Sequence, residues 1–252
     1  MHLIPDINRD QLRKIAALVC CLVSTLSIRT AAAQSAGAGQ AGQGRTFEDW
    51  QGFAVRYGLA GSPTEEYLQK LVDRPSVIAI VTRQFMDSAT GQRVLEASAD
   101  GEAVYDVPIE AFAQVLEPDY KHPLGPGVLE SEVRERSGSH AIVYQLIGSS
   151  FLGIRVTYST LNEIFRDVLP GGAIGFRARM TKSLDGKLYA SNSSWYLQSV
   201  VLGGRSMTYV RMFMDSDIFN PFPGMESLMR AFMPGQVNAM LRDNYRKAQE
   251  LK

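Results

Sequence analysis

The stretch Val104-Tyr-Asp-Val-Pro-Ile-Glu-Ala-Phe-Ala-Gln-Val-Leu116 marks the point where the chain passes from a strand into a helix. Pro108 can open a helix, because its missing N–H is one that the first helical turn leaves unbonded. Four apolar residues then recur at helical spacing: Ile109, Phe112, Ala113 and Leu116. Pro118 follows this apolar stripe and predicts the end of a short amphipathic helix.

Three elements are predicted upstream of this stretch. Pro63–Asp73 predicts a short helix, and the β-branched run Val77–Phe85 predicts a strand. Arg93–Val107 has an extended pattern, but Asp100-Gly101 interrupts it. Because this dipeptide is the strongest short-range hairpin signal, we expect a turn there.

Downstream, six candidate strands alternate with turn residues until a long helix closes the chain. The strands are Val128–Arg136, His140–Ile147, Leu152–Leu161, Ala173–Lys182, Lys187–Val201 and Ser206–Asp215. Their connections are too short for parallel crossovers, so neighbouring strands are predicted to be antiparallel. Met225–Ala248 predicts the helix, and Pro234-Gly235 inside it predicts a kink or a break.

Antiparallel strands followed by one amphipathic helix bury most apolar surface when the sheet wraps around that helix. The predicted class is therefore α+β, with a curved antiparallel sheet gripping a long C-terminal helix. This element order, together with Val104–Leu116, resembles the helix-grip fold of the START-like (SRPBCC) superfamily. That superfamily includes lipid-transfer domains, polyketide cyclases and dehydratases, and ubiquinone-binding proteins. The resemblance spans Val77–Lys252 and rests on element order more than on motif.

The resemblance implies a cavity between the sheet and the C-terminal helix that holds an apolar ligand. Strand alternation and the helical stripe select residues that would line it. Most of the ten methionines lie in the last strands and the helix, where they suit an irregular ligand and equally suit ordinary core packing. The predicted ligand-binding residues are Tyr144, Val156, Tyr158, Phe176, Met180, Trp195, Met212, Met225, Met229, Phe232 and Met240.

Charged and polar residues give little sign of catalysis. Arg155, Arg177 and Arg179 alternate with apolar residues and are predicted to face water, with a buried anion site as the alternative. Beyond the N-terminal segment the histidines are His122 and His140, and neither has a second histidine at metal-ligand spacing. Glu110 suits the start of a helix better than general-base chemistry. We therefore predict no catalytic residue, no metal and no cofactor.

The N-terminus has the pattern of a secretory signal peptide. Basic residues precede the apolar run Ile15–Ile28, which is too short to span a bilayer, and Ala31–Gln34 offers a cleavage site after Ala33. A short membrane anchor or an N-terminal helix of the fold are the alternatives. The adjacent Cys20 and Cys21, the only cysteines, would leave with the leader. The predicted organisation is a signal peptide at residues 1–33, a flexible linker at 34–46 and one START-like domain at 47–252.

Composition narrows the function further. The 252 residues are 45% hydrophobic and 21% charged with a formal net charge of zero, as in ordinary globular proteins. Zero net charge argues against a nucleic-acid partner. The leading hypothesis is an exported protein, periplasmic or extracellular, that binds a lipid or another hydrophobic small molecule for transport or sequestration, with a transient membrane contact left open. The alternatives are a cyclase- or dehydratase-like enzyme and a protein-interaction module without a ligand.

Overall fold

The computed structural model describes residues 63–120, 128–151 and 154–252, with side chains outside 148–156. The predicted signal peptide, linker and first residues of the domain therefore lie outside the described residues. The described helices are α1 (Glu65–Lys70), α2 (Ile109–Leu116) and α3 (Met225–Gln249). The strands are β1 (Ser76–Met86), β2 (Arg93–Tyr105), β3 (Val128–Ser137), β4 (His140–Phe151), β5 (Ile154–Val168), β6 (Ile174–Ser183), β7 (Leu188–Leu202) and β8 (Arg205–Phe219).

The eight strands form one antiparallel sheet in the order β1-β2-β8-β7-β6-β5-β4-β3. Both α2 and α3 pack on one face, which we call the inner face, and α1 packs on the opposite, outer face. The predicted α+β class, an antiparallel sheet holding a long C-terminal helix, is confirmed. None of the helices in the described ranges is long and apolar enough to cross a membrane.

The hairpin predicted at Asp100-Gly101 is wrong, because β2 runs without interruption from Arg93 to Tyr105. Gly101 lies in mid-sheet between β1 and β8. A Cβ atom on Gly101 would stand 2.4 Å from Cγ1 of Val237 on α3. Gly101 is thus required because α3 approaches the strand closely there, and not because the chain turns.

Small side chains on β2 let α3 lie directly against the sheet. The inner-face residues of β2 at this point are Ala97, Ala99, Gly101 and Ala103. The buried apolar residues of α3 recur along one stripe, namely Met225, Met229, Met233, Val237 and Leu241. Close packing of this stripe leaves no gap at Gly101 for a ligand between α3 and β2.

The C-terminal helix is continuous through Pro234, so the predicted break does not occur. Its first turn is bound to the edge strand β1 by side chains. Glu226 accepts hydrogen bonds from the Thr82 hydroxyl at 3.0 Å and from Nε2 of Gln84 at 2.9 Å, and it pairs with Arg230. The Thr82 hydrogen bond is the main cause that lowers the pKa of Glu226.

Aromatic rings join α2 to the rest of the inner core. The Phe112 ring of α2 is fully buried and lies 6.4 Å from Trp195 on β7 and 6.1 Å from Tyr105 on β2, between ring centroids. Tyr105 in turn stacks on Tyr245 of α3 at 4.2 Å. These contacts fix α2 over the middle of the sheet, beside α3.

The outer face has its own small core beneath α1. Leu68 of α1 and its C-cap residue Leu71 are buried there against strand residues that include Val104 and Tyr209. The buried carboxylate of Glu102 accepts hydrogen bonds from the hydroxyls of Tyr67 and Tyr209, the latter at 2.7 Å. Burial, followed by the Glu102 contact, raises the pKa of Tyr67 to about 12. A polar contact therefore adds to the apolar packing that holds α1 on the outer face.

Candidate functional site

A cavity of about 140 Å³ lies on the inner face between α2 and strands β3 to β7. Its apolar wall comes from α2, β3, β4, β5, β6 and β7, and consists of Leu116, Val128, Ile147, Ile164, Phe176, Ala178 and Trp195. Its polar lining residues are Gln145, Asn162, Arg177, Ser191 and Ser193. Such a mainly apolar hollow with a few convergent polar groups is the usual form of a small-molecule site.

Cross-strand register explains why these side chains converge. Residues directly opposite each other in an antiparallel pair point to the same face. Ile164 of β5 faces Ala178 of β6, and Phe176 of β6 faces Trp195 of β7. The wall is therefore a continuous apolar band across three strands, with Phe176 and Trp195 opposite each other on adjacent strands.

The polar part of the cavity is a hydrogen-bonded cluster on β4 and β5. The side-chain amide of Asn162 donates to Oε1 of Gln145 at 3.1 Å and to the Thr160 hydroxyl at 2.9 Å. Asn162 and Thr160 are 6% and 1% exposed, whereas Gln145 is half-buried. The three side chains hold each other in place, and two of them, Gln145 and Asn162, line the cavity.

The guanidinium groups of Arg177 and Arg179 belong to the outer face. Arg177 makes two hydrogen bonds to the Asp167 carboxylate, at 2.6 and 3.0 Å, and lies over the Phe165 ring. Arg179 pairs with Glu163. Both arginines point away from the inner core as predicted, but each is ion-paired rather than free in water. The side chain of Arg155 lies outside the described residues.

Ion pairs hold α2 over the cavity. Arg166 of β5 reaches Glu110 at 3.1 Å and Glu117 at 3.4 Å, one at each end of α2. Arg136 of β3 also pairs with Glu117, at 2.8 Å. Glu110 therefore acts as an anchoring residue of α2, and the helix has no side-chain N-cap.

Four of the predicted ligand-binding residues lie on the inner face near the cavity. Phe176 and Trp195 line it. Tyr158 and Met180 share the face, because Tyr158 lies opposite Ile147 and Met180 opposite Asn162. Tyr158 is buried, and burial raises the pKa of its hydroxyl, with a smaller contribution from Asp185.

Two other predicted strand residues do not join this group. Tyr144 lies on the outer face of β4, where the Arg134 guanidinium is 5.3 Å from its ring centroid, so Tyr144 cannot line the cavity. Both faces of β4 are apolar in sequence, which is why alternation alone selected the wrong one. Val156 lies in β5 opposite Ser149, but its side chain is outside the described residues.

The remaining predicted residues pack in the inner core and are not among the described lining residues. Met212 of β8 and Met225 and Met229 of α3 are buried in the main apolar core. Phe232 and Met240 of α3 are half-buried against that core. The described cavity thus has α2 as its helical wall, where the resemblance implied α3, because α3 is packed directly onto β1 and β2.

Four of the lining residues that the sequence did not predict lie on β4 and β5. Gln145 and Ile147 are on the face of β4 that was not selected. Asn162 and Ile164 lie beyond Leu161, where the strand was predicted to end, whereas β5 continues to Val168. Asn162 and Ile164 continue the alternation of Tyr158 and Thr160 on the inner face without interruption, so they were missed only because the strand was predicted to end too early.

The described histidine and acidic residues show no metal-ligand arrangement. His140 stacks on Phe165 at 4.6 Å between ring centroids, and His122 lies outside the described residues. Within residues 63–120, 128–151 and 154–252, no three His, Cys, Asp or Glu side chains come together in a way that could hold a metal ion. What the described lining offers a ligand is apolar contact and neutral hydrogen bonding.

An antiparallel sheet that carries a short helix and a long C-terminal helix on one face is the helix-grip fold of START-like (SRPBCC) proteins, so the predicted resemblance is confirmed at the level of the fold. The chain is similar to human StAR-related lipid transfer protein 5, with a TM-score of 0.52 and 12% sequence identity over 80% of this chain and 99% of that one.

Two further solved structures are similar at lower TM-scores. The STAR-related lipid transfer protein from Xanthomonas axonopodis has a TM-score of 0.49 and 15% identity, covering 67% of this chain and 98% of that one. The Zhui aromatase/cyclase from Streptomyces sp. R1128 has a TM-score of 0.41 and 14% identity, covering 61% and 94%. No protein-family profile matches the sequence, and no curated protein matches it.

Proposed function

We propose that this protein binds a lipid or another apolar small molecule in the cavity between α2 and strands β3 to β7, and carries or sequesters it. The observation that carries the proposal is the apolar wall of that cavity, above all Phe176 and Trp195 of adjacent strands. Apolar contact with these walls supplies affinity at about 25 cal/mol per Å² of buried surface.

The cavity volume bears on how a ligand would fit. About 140 Å³ is less than the roughly 300–1,000 Å³ of typical ligand pockets. One end of a lipid fits the space as it stands, whereas a whole lipid requires outward displacement of α2. The ion pairs from Arg166 and Arg136 to α2 are partly solvent-exposed, so they oppose that displacement only weakly. The similarity in fold to human StAR-related lipid transfer protein 5 favours a lipid.

Export is a second part of the proposal. A basic start, the apolar run Ile15–Ile28 and the small residues at Ala31–Ala33 support cleavage after Ala33 and function in the periplasm or outside the cell. A transient membrane contact would then be the step that loads the ligand. Amino-terminal sequencing of the protein recovered from its host tests this, and an intact Met1 in the exported fraction would contradict it.

The binding function is tested by filling the cavity. Ala178 lines it, so Ala178→Phe should occupy the space and exclude the ligand. Native mass spectrometry of protein purified from its own host should show a bound small molecule in the unchanged protein and at least a tenfold smaller ligand-bound fraction in Ala178→Phe. Val201→Phe is the matched control, because Val201 is 68% exposed and outside the described lining.

Several outcomes would contradict the carrier function. Protein that carries no small molecule and shows no thermal shift with a lipid panel would favour a protein-interaction module. Chemical conversion of the bound molecule during incubation would favour a cyclase-like enzyme. Equal ligand occupancy in Ala178→Phe and Val201→Phe would move the binding site away from this cavity.

A further inference from the structure

The polar cluster in the cavity has a fixed hydrogen-bonding capacity. Both amide hydrogens of Asn162 are used, one by Gln145 and one by Thr160. The side-chain contacts of the described residues leave Oδ1 of Asn162 as an acceptor and Nε2 of Gln145 as a donor. If both side-chain amides are instead rotated by 180°, Nδ2 of Asn162 is the donor available to a ligand and Oε1 of Gln145 is the acceptor. Either orientation offers a ligand one donor and one acceptor.

The charges of the cavity lining show that a charged group on a ligand would bind poorly. Arg177 is the one charged residue among the described lining residues, and Asp167 binds both ends of its guanidinium on the outer face. A carboxylate or ammonium group on a ligand would therefore lose its water without gaining an opposite charge. A hydroxyl group both donates and accepts, so it matches the free atoms of Gln145 and Asn162 and needs no counter-charge.

Cavity size sets the shape of the group that carries this hydroxyl. A protein cavity of about 150 Å³ lined by apolar residues holds a benzene molecule, and the present cavity is about 140 Å³. Phe176 and Trp195 supply flat aromatic surfaces to the lining, and Ile164 adds a branched aliphatic side chain. The space next to the amide pair therefore accommodates one six-membered ring.

We propose that the cavity selects a neutral, hydroxyl-bearing ring, with the hydroxyl bound between Gln145 and Asn162 and the ring against Phe176 and Trp195. This inference rests on the proposed binding function and names the ligand chemistry for the same site. The ring is either a free single-ring compound or the terminal ring of a longer lipid, and both present the same group to the amide pair.

The test compares three compounds of nearly equal shape by isothermal titration: 4-methylphenol, toluene and 4-methylbenzoate. The first should bind at least about tenfold more tightly than the other two, because it alone satisfies both amide atoms without burying a charge. Asn162→Leu should weaken 4-methylphenol binding about tenfold and leave toluene binding within about twofold. Gln145→Leu, at a half-buried position, gives the same readout if Asn162→Leu does not fold.

Gln198→Leu is the matched control, because this glutamine lies on the outer face of β7, where it accepts a hydrogen bond from Tyr196. It should leave all three affinities unchanged. Toluene binding as tightly as 4-methylphenol, or a preference that survives both cavity substitutions, would overturn the inference while the binding function stands. Failure of all three compounds to bind, together with a ligand-free native mass spectrum, would overturn the binding function itself.

A fourth compound separates the two sources of the ring. Tighter binding of 4-dodecylphenol than of 4-methylphenol, with displacement of the smaller compound, would assign the ring to the end of a lipid. Displacement at equal affinity would assign it to a free single-ring compound. If 4-dodecylphenol binds without displacing 4-methylphenol, the claim that both rings bind at the same site would be contradicted.

Discussion

Asp100 is a fully buried carboxylate in the middle of β2, on the outer face of the sheet. Arg211 of β8 binds both of its oxygens, at 3.0 and 2.6 Å. Burial raises the pKa of Asp100, and the contacts with Arg211 offset part of that rise. The charge of Asp100 is thus tolerated only because its partner is also held in place.

Substitution of Arg211 by Met tests this dependence. We expect a loss of about 3–5 kcal/mol in the free energy of unfolding near neutral pH, because an uncompensated buried charge remains. Loss of the guanidinium raises the folded-state pKa of Asp100 further above its unfolded value of about 3.9. A raised carboxyl pKa costs stability as the pH rises above the unfolded value. Urea unfolding should therefore show a larger deficit at about pH 8 than at about pH 5.

The double substitution Asp100→Leu and Arg211→Met provides the control. It removes both charges, so it should recover at least half of the stability that Arg211→Met loses and remove the pH dependence of the deficit. A single variant with the same deficit at both pH values would contradict the importance of the buried charge.

The C-terminal helix α3 depends on one glycine of its supporting strand. In a strand interior, replacement of glycine by alanine normally raises the free energy of unfolding by roughly 0.5–1 kcal/mol. Here an added Cβ would come within 2.4 Å of Val237 and 3.3 Å of Leu241. The packing of α3 on β2 therefore makes glycine more favourable than alanine at position 101.

Gly101→Ala should lower the free energy of unfolding by about 1–3 kcal/mol, since the inserted methyl group overpacks a full interface. Thermal unfolding monitored by circular dichroism measures the change. Adding Val237→Ala to this variant creates room for the new methyl group, so the two effects should combine to less than their sum. Additive losses would place the cause outside the contact between β2 and α3.

At the scale of elements, the sequence predicted α2, α3 and most strands, because each depends on local periodicity and on proline or glycine at its ends. Three predictions about elements were wrong, namely the hairpin at Asp100-Gly101, the end of β5 at Leu161 and the break at Pro234, and the first has a tertiary cause. Asp100-Gly101 has the composition of a turn, but the approach of α3 and the ion pair with Arg211 keep it in a strand. The end of β5 was predicted too early, at Leu161, although Asn162 and Ile164 continue the alternation of the strand on its inner face.

At the scale of the whole molecule, the candidate cavity lies beneath α2 rather than α3. The longer helix is packed onto small residues of β2, while the shorter one contacts the part of the sheet from β6 to β8. Arg166 connects the two ends of α2 to β5 through Glu110 and Glu117. Movement of α2 is thus the structural change that would admit a ligand larger than the described cavity.

Arg166→Met should loosen α2 and speed the exchange of a bound ligand. We expect the dissociation rate of a ligand that fills the space beneath α2 to rise severalfold, with a loss of stability of about 1 kcal/mol or less because the ion pairs are partly exposed. Stopped-flow fluorescence of Trp195 measures the rate. Arg179→Met is the matched control, since its ion pair with Glu163 lies on the outer face. Equal exchange rates in the two variants would contradict a gating role for α2.

The sequence by itself determined the element order, the antiparallel connections and the inward position of Phe176 and Trp195. These depend on period, turn residues and connection length, which are local properties. Only the tertiary structure decided which helix covers the cavity and which face of β4 lines it. Ile142, Tyr144 and Leu146 are as apolar as the opposite face, so the choice depends on where α2 and α3 pack. The cluster of Gln145, Thr160 and Asn162 likewise arises from pairing between β4 and β5, because hydrogen bonds across a sheet require a register that neither strand specifies alone.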